Sequence, residues 1–428
     1  MSDTLEPAAT THRIRRMSGR DPHEPHRVAT PLELLFDLTF VIAFGIAANE
    51  FTHLLIENHV GAGGLLGFSL ATFAVCWAWI NFSWFASAYD TDDWVYRVMT
   101  MLQMVGVIVM ALGFPPMFAS VAHGAHVDNR VMVAGYVVMR IALVGGQWLR
   151  AAAQDPAHRR ACLTYAAAIT FAQALWIVSI FVDTSVPVTF VIVAVLIGIE
   201  TLGPLLAETR RGGTPPWHAH HIAERYGLLT IIALGEGVVG TVATLTAVIG
   251  EQGWTFDAVF VVVAGVGLTF GMWWTYFTLP QAELLHAQRE RSFWFGYVPI
   301  VTLAAIVATG GAGLHAAAYY IEHHSALSSV ETVLTVAVPV GIYTASVYLL
   351  YAVMLRTAEV LHLLLIVLTV AVLAVAVWLA ASGDFDGQLP AGGDAGAGGV
   401  GLAHELIGHR HTESALAKTL HGEDTSVV

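Results

Sequence analysis

Charge is scarce in this chain. Of its 428 residues only 12% are Asp, Glu, Lys or Arg, against 56% that are apolar, and the mean hydropathy is +0.66. A soluble domain carries about 25% charged residues. Half that charge cannot solvate a globular surface, so the apolar surface must face lipid. A soluble enzyme is excluded. Cysteine is scarcer still. Cys76 lies inside one apolar run and Cys162 opens another, which argues against a disulfide framework or a zinc site. No cofactor or metal motif of correct spacing is found. Small residues, by contrast, are plentiful: 40 glycines suit close helix–helix contact in a bilayer. The net charge of −13 is not one field, because a membrane divides it between two compartments.

Runs of about 20 apolar residues are the unit that crosses a bilayer core. Eleven are present: Pro31–Phe51, Leu65–Ser87, Val98–Val121, Val131–Ala151, Cys162–Val182, Val186–Leu206, Tyr226–Ile249, Phe256–Pro280, Phe293–Tyr320, Val333–Leu355 and Val360–Ala381. Isolated strands leave backbone groups unpaired in lipid, and the runs are continuous rather than alternating, so they are helices. The expected fold is an all-α, polytopic transmembrane bundle.

Arginine placement sets the orientation. Arg13, Arg15, Arg16, Arg20 and Arg27 precede the first span, and ten more arginines fall at the other even-numbered connections. Opposite loops hold only Arg130. The N-terminus is therefore expected in the cytoplasm and, with an odd number of spans, the C-terminus outside. The first run is not a cleavable signal, because it follows a long polar arm and holds acidic residues. After Ala381 comes a flexible Gly/Asp-rich segment with a His-containing tail. His404 and His409 flank Glu405 five apart, whereas a zinc-protease helix needs histidines at i and i+4. A solvated tail is expected.

The first and seventh spans begin alike, with Glu224 over Glu33 at an offset of 191 residues and Arg289 over Arg97 at 192. The third and ninth spans are each interrupted late, by Gly113-Phe114-Pro115-Pro116 and by Gly310-Gly311-Ala312-Gly313. A parallel 5+1+5 repeat is the simplest description. It divides the chain into a basic arm (1–30), a first repeat (31–182), a linker span (186–206), a second repeat (222–381) and a polar tail (382–428).

Charges at bilayer depth cost at least ~2.5–3.5 kcal/mol each on insertion scales. Glu33 and Asp37 are four apart and share one face of the first span. Two carboxylates so close need a proton, a cation or an arginine between them. Glu33 is equally a candidate helix cap after Pro31. Glu236, flanked by Gly235 and Gly237, lies roughly 15 Å into its run, close to mid-membrane. Arg140 is the one basic residue placed mid-span and is the expected partner of Glu236 or Asp37. Glu50, Gln103, Gln147, Gln173 and Asn81 either line a polar path or tie helices together, and Glu200 is expected at the interface. The run Trp217-His218-Ala-His220-His221-Ile-Ala-Glu224-Arg225 enters the seventh span. His221 and Glu224 are helical neighbours, read as a helix start more readily than as a metal site. The Trp77, Trp79, Trp84 and Trp273, Trp274, Tyr276 groups are read as an interfacial belt and packing.

Two of these segments carry a family resemblance. Pro31-Leu-Glu33-Leu-Leu-Phe-Asp37-Leu-Thr-Phe-Val, with His221-Ile-Ala-Glu224-Arg225-Tyr-Gly-Leu-Leu-Thr-Ile-Ile-Ala-Leu-Gly235-Glu236, resembles the bacterial low temperature requirement A family. The likeness runs from about Arg27 to Ala381. It implies an integral membrane protein of a family named for a cold-growth phenotype, with Glu33, Asp37, His221, Glu224, Arg225 and Glu236 matching its motifs. No catalytic role comes with them.

Transport or permeation of an ion or small solute is the leading expectation, with Asp37, Glu236 and Arg140 as switchable charges. A membrane enzyme acting on lipid would need a nucleophile, metal centre or acid/base pair, and only His218–Glu224 offers a foothold. A scaffold or sensor of membrane state, in which the charges only fix helix packing, is the third. Membrane lipids are expected partners, Arg13, Arg15 and Arg16 meeting anionic headgroups, and nucleic-acid binding has no support.

Overall fold

The computed structural model describes residues 14–24, 27–57, 62–124, 126–209, 213–323, 327–356 and 360–382. Every regular element among them is helical. Eleven helices are long and apolar enough to cross a membrane: Pro31–Ile56, Gly63–Tyr89, Trp94–His123, Arg130–Gln154, Arg159–Ser179, Val186–Thr209, Ala219–Gln252, Ala258–Ala287, Arg289–His323, Ser329–Leu355 and His362–Ser382. The protein is a multi-span helical membrane protein. The His404–His409 stretch lies outside the described residues, as does Arg13.

Local chemistry sets the helix starts. Thr30 caps the first span in a full capping box: its hydroxyl accepts the Glu33 N–H, and the Glu33 carboxylate accepts the Thr30 N–H. Pro31 follows at the first position, where a missing N–H costs nothing. Asp93 caps the third span by accepting the Tyr96 N–H. The seventh span begins at Ala219, seven residues before its apolar run, where His221 and Arg225 are buried and paired inside the bundle.

The expected interruptions take two forms. At Gly113 the third span breaks and restarts at Phe114, where Pro115 and Pro116 sit in the first turn. A Cβ on Gly113 would lie 2.1 Å from Met132 N, and one on Gly135 2.1 Å from Met110 N, so only glycine admits this approach of the third and fourth spans. The ninth span, in contrast, does not break. It widens into a π-helical segment over Ala308–Gly313, and a second such segment, Ala142–Trp148, follows Arg140 in the fourth span. Periodicity carries no signal for either, since a π-turn inserts one residue without changing composition.

One face of the bundle gathers the start of the first span and the connections after the second, fourth, sixth and eighth spans. The arm before Pro31 is laid across it. Arg15 N–H bonds Asp93, Arg16 bonds the Gln154 carbonyl, Met17 N–H bonds the Gln154 side chain and Gly19 N–H bonds Asp155. Met17 is fully buried. The Arg15 and Arg16 side chains stay exposed even though each reaches a carbonyl of the protein, so the arm is held chiefly through backbone N–H groups and the buried Met17. Burial pushes Asp93 upward, but hydrogen bonds from Arg150 and from the Tyr96 and Arg15 N–H groups outweigh it and hold the carboxyl down at about 2.

Candidate functional site

The first and seventh spans run side by side, and their charged residues meet in register. Asp37 and Arg225 are the tightest pair, Arg225 Nη2 donating to Asp37 Oδ1 at 2.7 Å. Arg225 Nη1 is also 3.6 Å from Glu33 Oε1, so one guanidinium bridges the two carboxylates. His221 Nε2 lies 3.2 Å from Glu33 Oε1. All four side chains are fully buried. Of the proton, cation or arginine expected between the two carboxylates, it is an arginine, Arg225, that stands there.

The second span completes the cluster. Trp79 Nε1 donates to Asp37 Oδ1 at 2.6 Å, Ser83 Oγ accepts from Arg225 at 3.2 Å, and the guanidinium sits 5.6 Å from the Trp79 ring centre. Trp79 is therefore a buried ligand of the cluster and no part of an interfacial belt; Trp77 is buried as well. On sequence Trp79 carries an interfacial or packing reading and Ser83 is not singled out, although their four-residue spacing puts them on one helical face. Asp37 Oδ2 and Arg225 Nε have no hydrogen-bond partner among the described residues.

Neighbouring motif residues act at the helix start. His218 Nδ1 accepts the His221 N–H at 3.2 Å while its Nε2 faces the Glu24 carbonyl at 2.8 Å. One nitrogen accepts and the other must donate, so His218 is neutral here. Burial pushes it in the same direction, below the usual histidine range. Glu224 accepts the Ala29 N–H at 3.2 Å, whereas His221 faces Glu33. No group of three or more His, Cys, Asp or Glu side chains among the described residues could hold a metal ion.

Arg140 meets neither Glu236 nor Asp37. Its Nη2 donates to Tyr136 OH at 2.5 Å, Tyr136 OH donates to Glu200 Oε2 at 2.5 Å, and the guanidinium is 3.9 Å from Glu200. Gln173 Nε2 donates to Glu200 Oε1 at 2.8 Å. The expected pairing fails because the fourth span turns this face towards the fifth and sixth spans, away from the first and seventh. Glu200, expected at the interface, is instead 7% exposed inside this second cluster.

Glu236 stands apart from both clusters. It lies midway along Ala219–Gln252, where the seventh span crosses the first span and the π-segment of the ninth. A Cβ on Gly45 would be 3.3 Å from Oε1, and one on Gly311 would be 3.2 Å from Oε2. Behind it Gly310 packs against the Gly237 backbone, where a Cβ would meet Gly237 N at 2.4 Å. No hydrogen-bond or ion-pair partner of Glu236 occurs among the described residues. A cavity of about 770 Å³ lies elsewhere, apolar and walled by residues such as Phe51, Phe68 and Ile300.

The family model for the bacterial low temperature requirement A protein (LtrA) matches residues 28–385. An uncharacterized protein of Rhizobium meliloti is 27% identical over 300 residues, which cover 65% of this chain and 67% of that protein. No solved structure matches the chain. The family match holds both charge clusters and Glu236, and excludes most of the basic arm and the His-containing tail.

Proposed function

The chain belongs to the bacterial low temperature requirement A family, and from that premise we propose that it conducts or transports an ion or small solute along the seam between its first and seventh spans. One observation carries the reading: at mid-helix Glu236 faces Gly45 and Gly311 with no partner among the described residues. A carboxylate at that depth is costly unless it is protonated, hydrated or bound to a cation. Each of those states belongs to a permeation path. The two glycines let the first and ninth spans approach the carboxylate closely, with the Ala48 side chain also beside Gly311.

Asp37 and Arg225 lie on the same seam, about 12 Å nearer the N-terminal end along the first span. In this scheme protonation of Asp37 releases Arg225 and alters how the two spans lean on each other. The π-segments and the break at Gly113 are the loosened positions such a movement needs, and a parallel repeat would let two halves rock. The scheme sets the N-terminus in the bacterial cytoplasm and the spans in the inner membrane, as the arginine bias requires.

The test is flux into proteoliposomes of purified protein under imposed proton, sodium and potassium gradients, with Glu236→Gln and Asp37→Asn alongside. The expected result is flux that both variants lose while remaining folded. Flux that Glu236→Gln leaves unchanged overturns the reading. A second reading, a scaffold or sensor of membrane state, draws on the closed pairing of Glu33, Asp37, His221 and Arg225. It predicts no flux under any gradient. A lipid-modifying enzyme has no comparable support from the geometry, and lipid analysis of a deletion strain would decide it.

A further inference from the structure

A cavity of about 40 Å³ lies apart from the seam, between the second, sixth and ninth spans, near the bundle face that carries the arm. Three aromatic pairs form part of its wall. Trp84 stands edge-on to Trp217 with ring centres 5.0 Å apart, Trp148 stacks on Tyr165 at 4.3 Å, and Trp77 stands edge-on to Tyr297 at 5.4 Å. Hydrogen bonds hold three of the six rings, while the Trp148 and Trp217 Nε1 atoms have no partner among the described residues. Trp84 Nε1 donates to Tyr226 OH at 3.3 Å, Tyr165 OH to Glu208 Oε1 at 2.7 Å, and Tyr297 OH to the Thr201 carbonyl at 2.9 Å. The wall is pre-organised.

Its polar content is small and of one sign. Among the described lining residues Glu208 is the only ionisable carboxylate, and Asn81 spends its Nδ2 on the Trp77 carbonyl at 2.8 Å. Among the described residues no Arg or His lies within ion-pair distance of Glu208. The Arg289 guanidinium sits 3.9 Å from the centre of the Trp217 ring, so this wall already engages one cation through an aromatic face.

Aromatic faces carry negative quadrupoles, and a single carboxylate adds a full charge in a medium of low dielectric. An anion is repelled by both. A neutral apolar guest adds no counter-charge for Glu208 to what the described residues offer, and a bare metal ion would find too few oxygens here to replace its hydration shell. A methylated ammonium group meets every condition: diffuse positive charge, an apolar surface for the rings and weak hydration. The volume, room for about three water molecules, suits one such head group and excludes drug-sized guests. We propose that this cavity binds the ammonium head of a small organic cation, with Glu208 as counter-charge and the Trp and Tyr pairs as its walls. The proposal does not rest on the ion-path reading.

The test titrates choline into the purified full chain at constant ionic strength and follows intrinsic tryptophan fluorescence. Its neutral carbon isostere, dimethylbutanol, is titrated in parallel. The expected outcome is a saturable change with choline, an isostere that binds about tenfold more weakly, and a Glu208→Gln variant weakened about tenfold for choline. Equal binding of the two ligands overturns the proposal. So does saturation untouched by Glu208→Gln, or the lack of any saturable change with choline. The comparison of ligands uses the wild-type chain and stands even where the variant fails to fold. Glu236→Gln should bind choline as the wild type does, which separates failure here from failure of the ion path.

Discussion

Arg225 Nη2 lies 2.7 Å from Asp37 Oδ1 with both side chains fully buried, and this contact fixes the seventh span against the first. Two charges in a dry interior attract strongly but each has lost its water, so the pair is worth little against an apolar replacement. Removing one member is different, because the other stays buried and uncompensated. Arg225→Met or Asp37→Asn alone should cost about 3–5 kcal/mol, and the double variant much less than the sum. Thermal unfolding in detergent, run as a double-mutant cycle, measures the coupling. Additive effects would mean the pair contributes no interaction.

Glycine at the span crossing is a second place where a single atom decides. A Cβ on Gly310 would lie 2.4 Å from Gly237 N and 2.5 Å from its Cα, and backbone cannot swing aside. Gly310→Ala should therefore destabilise by about 1–3 kcal/mol or more. Gly267, with nothing within 4 Å of its added Cβ, is the control. Gly267→Ala should be neutral or stabilising by a few tenths to about 1 kcal/mol, since alanine is the better helix former. Melting temperatures of the two variants, side by side, check this.

The spans were legible because bilayer thickness imposes a length and a composition on each, and no tertiary detail is needed to see them. Glu33, Asp37, Arg225 and Glu236 were legible for a related reason: charge where lipid should be is conspicuous. Partner choice was not. Arg140 was assigned to Glu236 or Asp37 by elimination, yet the helix it sits on faces Glu200, and helix rotation leaves no mark in an apolar run. Trp79 was hidden by its type, because tryptophan has a ready interfacial explanation. Its role follows only from the neighbouring Asp37 oxygen.

The arm before the first span should show acid sensitivity of a defined sign. Asp93 receives Arg150 and two backbone N–H groups, and its carboxyl is held at about 2 against an ordinary aspartate near 4. A folded-state value below the unfolded one stabilises the fold above about pH 4, and the contribution is lost as pH falls towards 2. Wild type should therefore exceed Asp93→Asn in melting temperature at pH 7, and the gap should close as the pH approaches 2. Protease access to the arm, followed over the same range, should rise as the gap closes. A gap independent of pH would show that the carboxylate charge does not hold the arm.

Glu33 and Glu236 should respond in opposite directions to the same change. Glu33 accepts the Thr30 N–H at 2.7 Å and faces His221 and Arg225, so Glu33→Gln keeps a cap acceptor but leaves buried positive charge less compensated. Its melting temperature should fall. Glu236 has no such partner among the described residues; it bears the cost of partial burial with nothing to offset it. Glu236→Gln keeps the volume, removes the charge and breaks no contact, so its melting temperature should hold or rise. A residue whose neutralisation stabilises the protein is retained against stability, and residues of that kind cluster where function needs them. A fall in Glu236→Gln as large as that in Glu33→Gln would instead give Glu236 a fixed structural partner, and would remove the observation on which the ion path rests.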